Sequence, residues 1–321
     1  MCERYFYHSF PRRHHGATRE EVLSKGLKIL DSIVESGLIL TPEKTDWFEF
    51  LTDGNRSKPV EVVQKRVCFT ELSPSELPRH SDTFGEFALE FSIETLRCLG
   101  GSPVFYLPSM SLEETSCSGM SGALICRMLE IQELLTRLKG MDEVAKSTTN
   151  KSELLSITRN GVVTDTTRCT AGGAEDLLAM LQSEMQPISV LLGSLQAISG
   201  FFYPTEDLKR NKILHYYRQR EWRIIANGVW RGENVCDELS ESEIKTLLDI
   251  DTDFFGKEMD FPTGRYTIAR QSRKLKSLAG KHVLQYLKRL IVPEEAISRA
   301  KSILDKKGIS IPVEHLAPSE F

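Results

Sequence analysis

The sequence lacks the signatures that would settle its class at once. Its seven cysteines (Cys2, Cys68, Cys98, Cys117, Cys126, Cys169 and Cys236) are odd in number and scattered, with no CxxC pair. That spacing excludes a zinc ribbon and gives no disulfide framework. The opening "MCERYFYHSF" holds no apolar run of signal-peptide length, and no stretch approaches the ~18 apolar residues of a membrane span. A cytoplasmic protein with reduced cysteines is the expectation. No phosphate loop, no GxGxxG opening a helix, no GxSxG elbow and no HExxH occurs. Clustered acidic residues of the kind a metal-dependent nuclease needs are missing too, so no metal site is expected. A net charge of −4 over 321 residues argues against a nucleic-acid footprint spread over the whole surface. It leaves a local basic face for nucleic acid open.

What is present is material for a core and two kinds of periodicity. "RYFYHSF" alternates as a strand over residues 4–10. Thr18 is placed to cap a helix with Glu21 three residues on, along the stripe Val22, Leu23, Leu27, Leu30, Ile33 and Val34, and Gly37 stops it. "VCFTEL" (67–72) reads as a strand, "SPSELPRH" as a proline-rich turn, "GEFALEF" (85–91) as an alternating strand and "SPVFYLP" (102–108) as a short one. Strands this close in sequence favour a mixed, largely antiparallel sheet in an α+β fold.

After Pro108 the period changes to that of helices, at 121–141 and at 173–202 with a break at Pro187. The polar segment between them predicts a loop or a small hairpin. Strand pattern returns in "EWRIIANGVW" (221–230). The end predicts a strand (284–292), a helix (293–308) and a parallel strand (309–313). The expected organisation is a core of residues 1–110 and 203–321 with a mainly helical insertion at 111–202. In that insertion Leu124, Met128, Ile131 and Leu135 of one helix should meet Leu177, Met180, Leu181 and Met185 of the other. Apolar positions left over suit a homo-oligomeric contact.

Candidate chemistry rests on polar residues in or beside strands: His8, Glu71, His80, Tyr106, Glu221 and Arg223. His8 lies on the Phe6–Phe10 face, as a core histidine bonded to backbone or as a donor to a ligand hydroxyl or phosphate. Glu71 reads as a strand-end carboxylate or a ligand contact, and His80 as a loop residue or a ligand contact. "HH" at 14–15, beside Arg12 and Arg13, reads as a solvated basic turn or a pocket mouth. Glu221 sits inside "REWRII", between Arg220 and Arg223. Glu221 and Arg223 share one strand face, with Trp222 and Ile224 on the other. The spacing serves an ion pair or a carboxylate kept ionised for chemistry.

In order along the chain, "YHSF", "GLKILDSIVESGLIL", "VCFTELSPSELPRHSDTFGEFALEFS", "GSPVFYLP" and "REWRII" resemble the AbiGi abortive phage resistance proteins and related bacterial domains. The likeness covers about residues 4–110 and 203–315. A looser resemblance, in "YFYHSF…LKILDSIVESGL" and the late glutamate strand, is to ADP-ribosyltransferases of the DarT type. These resemblances imply an antiphage defence protein with an ADP-ribosyltransferase-like core that processes NAD or uses it to modify a target. They imply His8 at the nicotinamide ribose, and Glu221 on its 2′-hydroxyl as an oxocarbenium-like transition state forms. The chain departs from the second pattern in having no arginine-rich loop to grip NAD. The alternative is a non-enzymatic antitoxin or sensor module that binds a partner protein of a defence operon, or a small ligand.

Overall fold

The computed structural model describes residues 4–12, 16–47, 60–107, 119–152, 154–159, 162–184, 188–204, 217–218, 220–226, 229–230, 233–234, 236–261 and 264–315. The chain divides into two compact units. The first comprises Met1–Asp46, Glu61–Ser111 and Gly200–Phe321, and the second Trp47–Val60 and Leu112–Ser199.

The elements begin with β1 (Tyr5–Phe10), α1 (Arg19–Ser36), β2 (Leu38–Trp47), β3 (Val60–Leu72), α2 (Leu77–Phe84), β4 (Phe87–Phe91) and α3 (Ile93–Cys98). Next come β5 (Ser102–Pro103), β6 (Phe105–Leu107), α4 (Gly119–Ser147), β7 (Leu154–Arg159), β8 (Val162–Thr170), α5 (Ala171–Glu184), α6 (Ile188–Ser199) and β9 (Phe202–Pro204). Then follow β10 (Glu221–Ile225), β11 (Val229–Trp230), β12 (Glu233–Asn234), β13 (Asp237–Glu238), α7 (Glu241–Ile250) and α8 (Thr252–Phe255). The hairpin β14 (Glu258–Phe261) and β15 (Gly264–Thr267) leads to α9 (Ile268–Gln271), β16 (Arg273–Leu275), β17 (Ser277–Leu278) and β18 (Lys281–His282). The chain closes with β19 (Arg289–Val292), α10 (Ile297–Asp305) and β20 (Val313–His315).

Among the described strands, ten join one sheet in the first unit, in the order β13-β16-β2-β3-β1-β4-β19-β20, with β10 pairing both β3 and β5. The sheet is mixed and largely antiparallel, as its closely spaced strands require, and β19 with β20 is a parallel pair in it. That pair is the predicted C-terminal crossover, displaced along the chain. Val283–Tyr286 winds into a 3-10 turn instead of extending the strand. β20 starts at Val313, just after Pro312, whose carbonyl accepts from Leu290 N at 2.8 Å.

Thr18 caps α1 through a reciprocal box with Glu21, and Gly37 ends that helix at φ +87°. Leu27, Leu30, Ile33 and Val34 of α1 and Ala300 and Leu304 of α10 cover one face of the sheet, against Phe6, Phe69, Leu89 and Phe91. The other face carries a smaller cluster of Tyr5, Tyr7, Leu72, Leu77, Ala88, Tyr217 and Ile291. Both faces of β4 are therefore buried, although its sequence alternates between apolar residues and Glu86, Ala88 and Glu90. The segment read as a proline-rich turn is the start of α2. Ser73 and Glu76 form a capping box for a 3-10 turn, and Pro78 sits in the first turn of the helix.

In the second unit, β7 and β8 form the expected hairpin, and α4 packs on α5 and α6. The face turned inward matches the predicted stripe at Met128 but not at Leu124, Ile131 and Leu177. Ile125, Cys126 and Met128 are buried, as are Ala145, Ala171, Ala174 and Leu178, whereas Leu124, Ile131 and Leu177 are about half exposed. Apolar residues surround α4 on nearly all sides, so its pattern names no single inner face. Met185 lies outside the described residues, and the side chains of Met180 and Leu181 are likewise undescribed. No helix among the described residues is long and apolar enough to cross a membrane.

One register row fixes the polar side of the main sheet. Glu221 pairs with Thr70, Thr70 with Tyr7, Tyr7 with Glu90 and Glu90 with Arg289, across β10, β3, β1, β4 and β19. Side chains of directly opposed residues share a face. At one end of the row Tyr7 donates to Glu90 Oε2 at 2.6 Å, and Arg289 makes two bonds to the same carboxylate, at 2.9 and 3.0 Å. Glu90 is wholly buried. Glu90→Ala leaves the buried Tyr7 phenol without its acceptor and Arg289 with Glu314 as its remaining carboxylate. It should cost about 2 kcal/mol in urea unfolding, chiefly because a buried donor is left unmatched. A loss under ~1 kcal/mol would mean that the row does not hold the sheet.

Candidate functional site

Strand alternation on β3 turns Gln64, Arg66, Cys68 and Thr70 to the polar face, and β10 turns Glu221 and Arg223 to the same side. With α2, β2 and the residues around Tyr203 and Tyr217 they enclose a cavity of about 710 Å³ within the first unit. This volume suits a small-molecule ligand.

Glu221 stands in its wall with both carboxylate oxygens engaged. Arg223 Nε donates to Oε1 at 2.7 Å and Tyr106 Oη to Oε2 at 2.6 Å. Burial alone would push this carboxyl up, but the charges of Arg223 and Arg66 and the bonds from Arg223 and Cys68 hold it below the usual range. Burial and the Glu221 charge push the Tyr106 phenol up, and they raise the Cys68 thiol to about 12. Phenol and thiol therefore remain protonated donors around an ionised carboxylate. Cys68 is not a thiolate nucleophile at neutral pH, and Glu221 is not a proton donor there.

Arg223 is 1% exposed. Its Nη1 and that of Arg66 donate to the same Gln64 Oε1, at 3.2 and 2.9 Å. Arg66 also pairs with Glu43, whose other oxygen accepts from Tyr203 Oη at 3.2 Å. The Tyr203 ring carries the guanidinium groups of Arg223, Arg66 and Arg218 at 4.7, 5.1 and 5.7 Å from its centroid. Cations at these distances are attracted to the ring quadrupole.

A second stretch of wall is aromatic, with one arginine at its edge. His80 stacks on Phe84 at 4.3 Å and meets Tyr217 edge-on at 4.7 Å, and Arg12 lies over Phe84 at 5.3 Å. His80 nitrogens lie 3.2 Å from Thr70 Oγ1 and 3.4 Å from Ser9 Oγ. Burial, then the charges of Arg220 and Arg12, lower the His80 pKa to about 3, so the ring is neutral.

The predicted site residues scatter around this cavity rather than all lining it. Glu221, Arg223, His8 and His80 border it. His80 does so from α2 and not from a loop. His8 takes the core-histidine geometry: its ring packs beside Phe10 and Phe69, and Nδ1 lies 2.9 Å from the Cys68 carbonyl. The carbonyl can only accept, so Nδ1 carries the proton, and burial lowers the pKa of the ring. Tyr106 reaches Glu221 without itself bordering the cavity. Glu71 lies on the other face of β3, near Arg4 and Trp222, and is not part of the site. Arg220 turns away from Glu221 and meets Glu76 at 3.0 Å, because neighbours along a chain at a strand end point to opposite sides. His14 and His15, with Arg13, lie outside the described residues.

Sequence reasoning missed Arg66, Thr70, Tyr203, Arg218 and Tyr217. A period-2 signal for Arg66 and Thr70 exists in "VEVVQKRVCFTEL", where Gln64, Arg66, Cys68 and Thr70 alternate with Lys65, Val67, Phe69 and Glu71. Starting the strand at Val67 cut it in half. The lining arginines Arg12, Arg66 and the Arg218–Arg223 pair come from three separate segments and share no spacing. Among the described residues, no three His, Cys, Asp or Glu side chains group as a metal site.

Two measurements follow from this electrostatic arrangement. Glu221→Gln leaves the buried Arg223 without its anion and should cost about 3 kcal/mol of stability, against about 1.5 for Tyr106→Phe, which removes one hydrogen bond. Equal effects in urea unfolding would mean that the ion pair does not dominate. For His80, the folded pKa lies below the unfolded value of 6.5, so its contribution is full above pH 6.5 and declines toward pH 3. Between pH 7 and 5 wild type should lose about 2 kcal/mol more than His80→Gln, at ~1.4 kcal/mol per pH unit below 6.5. Parallel pH curves for the two proteins would contradict a neutral buried ring.

Comparison with protein-family models, curated proteins and solved structures gave no match for this chain, so its functional reading rests on its own residues.

Proposed function

We propose that the protein binds a phosphate-bearing nucleotide of the NAD class in the cavity beside Glu221 and breaks its nicotinamide–ribose bond, as an ADP-ribosyltransferase-like or NAD-processing effector. One observation carries this reading: an ionised, largely buried carboxylate stands in the wall of a cavity that also presents arginines and an aromatic stretch. In the reaction the N-glycosidic bond breaks and nicotinamide leaves with the bonding electron pair. Water or a target nucleophile then bonds to the anomeric carbon and gives up a proton. Positive charge grows at that carbon meanwhile, and a fixed, mostly buried carboxylate stabilises it without proton transfer. Arg66 and Arg218 are suited to the phosphates, and Phe84, His80 and Tyr217 to a flat ring. The antiphage setting is supported by the order of the sequence motifs alone.

A second reading is favoured by the same carboxylate. Both of its oxygens are already taken by Arg223 and Tyr106, which suits a rigid binding module whose ligand is held and not cleaved.

Nicotinamide release from NAD, measured beside ADP-ribose binding, separates the two. The first reading expects release that falls by at least about a hundredfold in Glu221→Gln, assayed below that variant's melting temperature, with ADP-ribose binding retained. Binding without any release by wild type would establish the module instead. Neither binding nor release would sink both readings.

A further inference from the structure

Glu43 occupies an unusual position among the cavity charges. It projects from β2 and its side chain is 47% exposed, yet it reaches Arg66, whose side chain is only 4% exposed. Its second oxygen accepts from Tyr203 Oη at 3.2 Å. One half-exposed carboxylate thus joins a buried guanidinium to the phenol around whose ring Arg66, Arg218 and Arg223 gather. The guanidinium it faces has donor capacity left. Arg66 Nη1 is taken by Gln64, but the buried Nε has no hydrogen-bond partner among the described residues. A buried, unmatched N–H costs about 1–3 kcal/mol. Arginine presents its five donors as a planar fork suited to two oxygens of one anion. Arg223, by contrast, is committed to Glu221, itself a mostly buried carboxylate.

We propose that Glu43 is a placeholder: its carboxylate fills the anion site at Arg66 and Tyr203 until a phosphate group of the ligand displaces it. This rests on the reading of the cavity as a nucleotide site and adds where the phosphate binds and what it must displace. The exposed Glu43 returns to water at small cost, whereas the buried Arg66 cannot follow it. A phosphate offers Arg66 more acceptor oxygens than the carboxylate does, with Arg218 close by on the same ring. The exchange keeps Arg66 charge-matched in both states, so the empty cavity does not hold a stranded buried cation.

The test is calorimetric titration of the full chain with inorganic pyrophosphate at fixed low ionic strength. Wild type should bind weakly, and Glu43→Gln should bind about tenfold tighter, because it competes less well for Arg66. Glu43→Asp, which keeps the charge but shortens the reach, should give a smaller gain and covers the case in which the Gln variant misfolds. Glu258→Gln is the control, since Glu258 borders the same cavity but pairs with Arg265. It should stay within about twofold of wild type. An equal gain from Glu258→Gln would reduce the effect to net charge and overturn the proposal. So would unchanged or weaker binding by both Glu43 variants, or no pyrophosphate binding by any of the proteins. Nicotinamide release followed in the same preparations keeps the two readings apart. Release that persists without a Glu43 effect removes the placeholder alone, and a Glu43 effect without release removes the cleavage reaction alone.

Discussion

The register of β3 between β1 and β10 is the constraint on which the rest of the structure depends. It sets Thr70 between Tyr7 and Glu221 and so aligns Glu221, Thr70, Tyr7, Glu90 and Arg289 on one face. A slip of β3 by one residue would send its Gln64, Arg66 and Thr70 to the opposite face, among the phenylalanines and leucines that α1 and α10 cover. Each would then be a polar group buried without partners. The apolar face therefore enforces the polar one, and a cavity wall made of charges follows from a hydrophobic core on the reverse side of the same strands.

Charges so placed have to be matched within the fold. Glu90 is met by Arg289 and Tyr7, Glu221 by Arg223 and Tyr106, and Arg66 by Glu43 and Gln64. Gln64 ties two of these guanidinium groups through one amide oxygen, while its nitrogen is held by the Phe202 carbonyl at 3.3 Å. Removing Glu221 leaves Arg223, and removing Glu43 leaves Arg66, as a cation that water barely reaches. The same matching makes the site electrostatically rigid: protonated phenol and thiol, ionised carboxylate and neutral imidazole are each set by neighbours rather than by pH near 7. Stability and ligand chemistry draw on the same residues here, so a change at Glu221 bears on both.

The sequence by itself determined the elements whose signals are local. The Thr18–Glu21 box and Gly37 bound α1, the period-3.6 stripe chose its buried face, and alternation placed Glu221 and Arg223 together away from Trp222 and Ile224. Close spacing of short strands gave the mixed, largely antiparallel sheet. The helices of the second unit were visible as helices, but not the face that α4 buries, because its apolar residues surround it.

Only the tertiary structure decided which polar residues meet. Arg66, Tyr203 and Glu221 are far apart along the chain and carry no shared spacing, so no periodicity relates them. His80 looked like part of a proline-rich turn until the Ser73–Glu76 box made that segment a helix pressed on the sheet. Glu71 and Thr70 are adjacent, yet pleating puts only Thr70 in the cavity. Arg220 and Arg223 both flank Glu221, and the geometry of the strand gives the carboxylate to Arg223 and sends Arg220 to Glu76. Pattern along a chain reports which way a residue faces; what it faces is set by register between strands, and that is a property of the folded sheet.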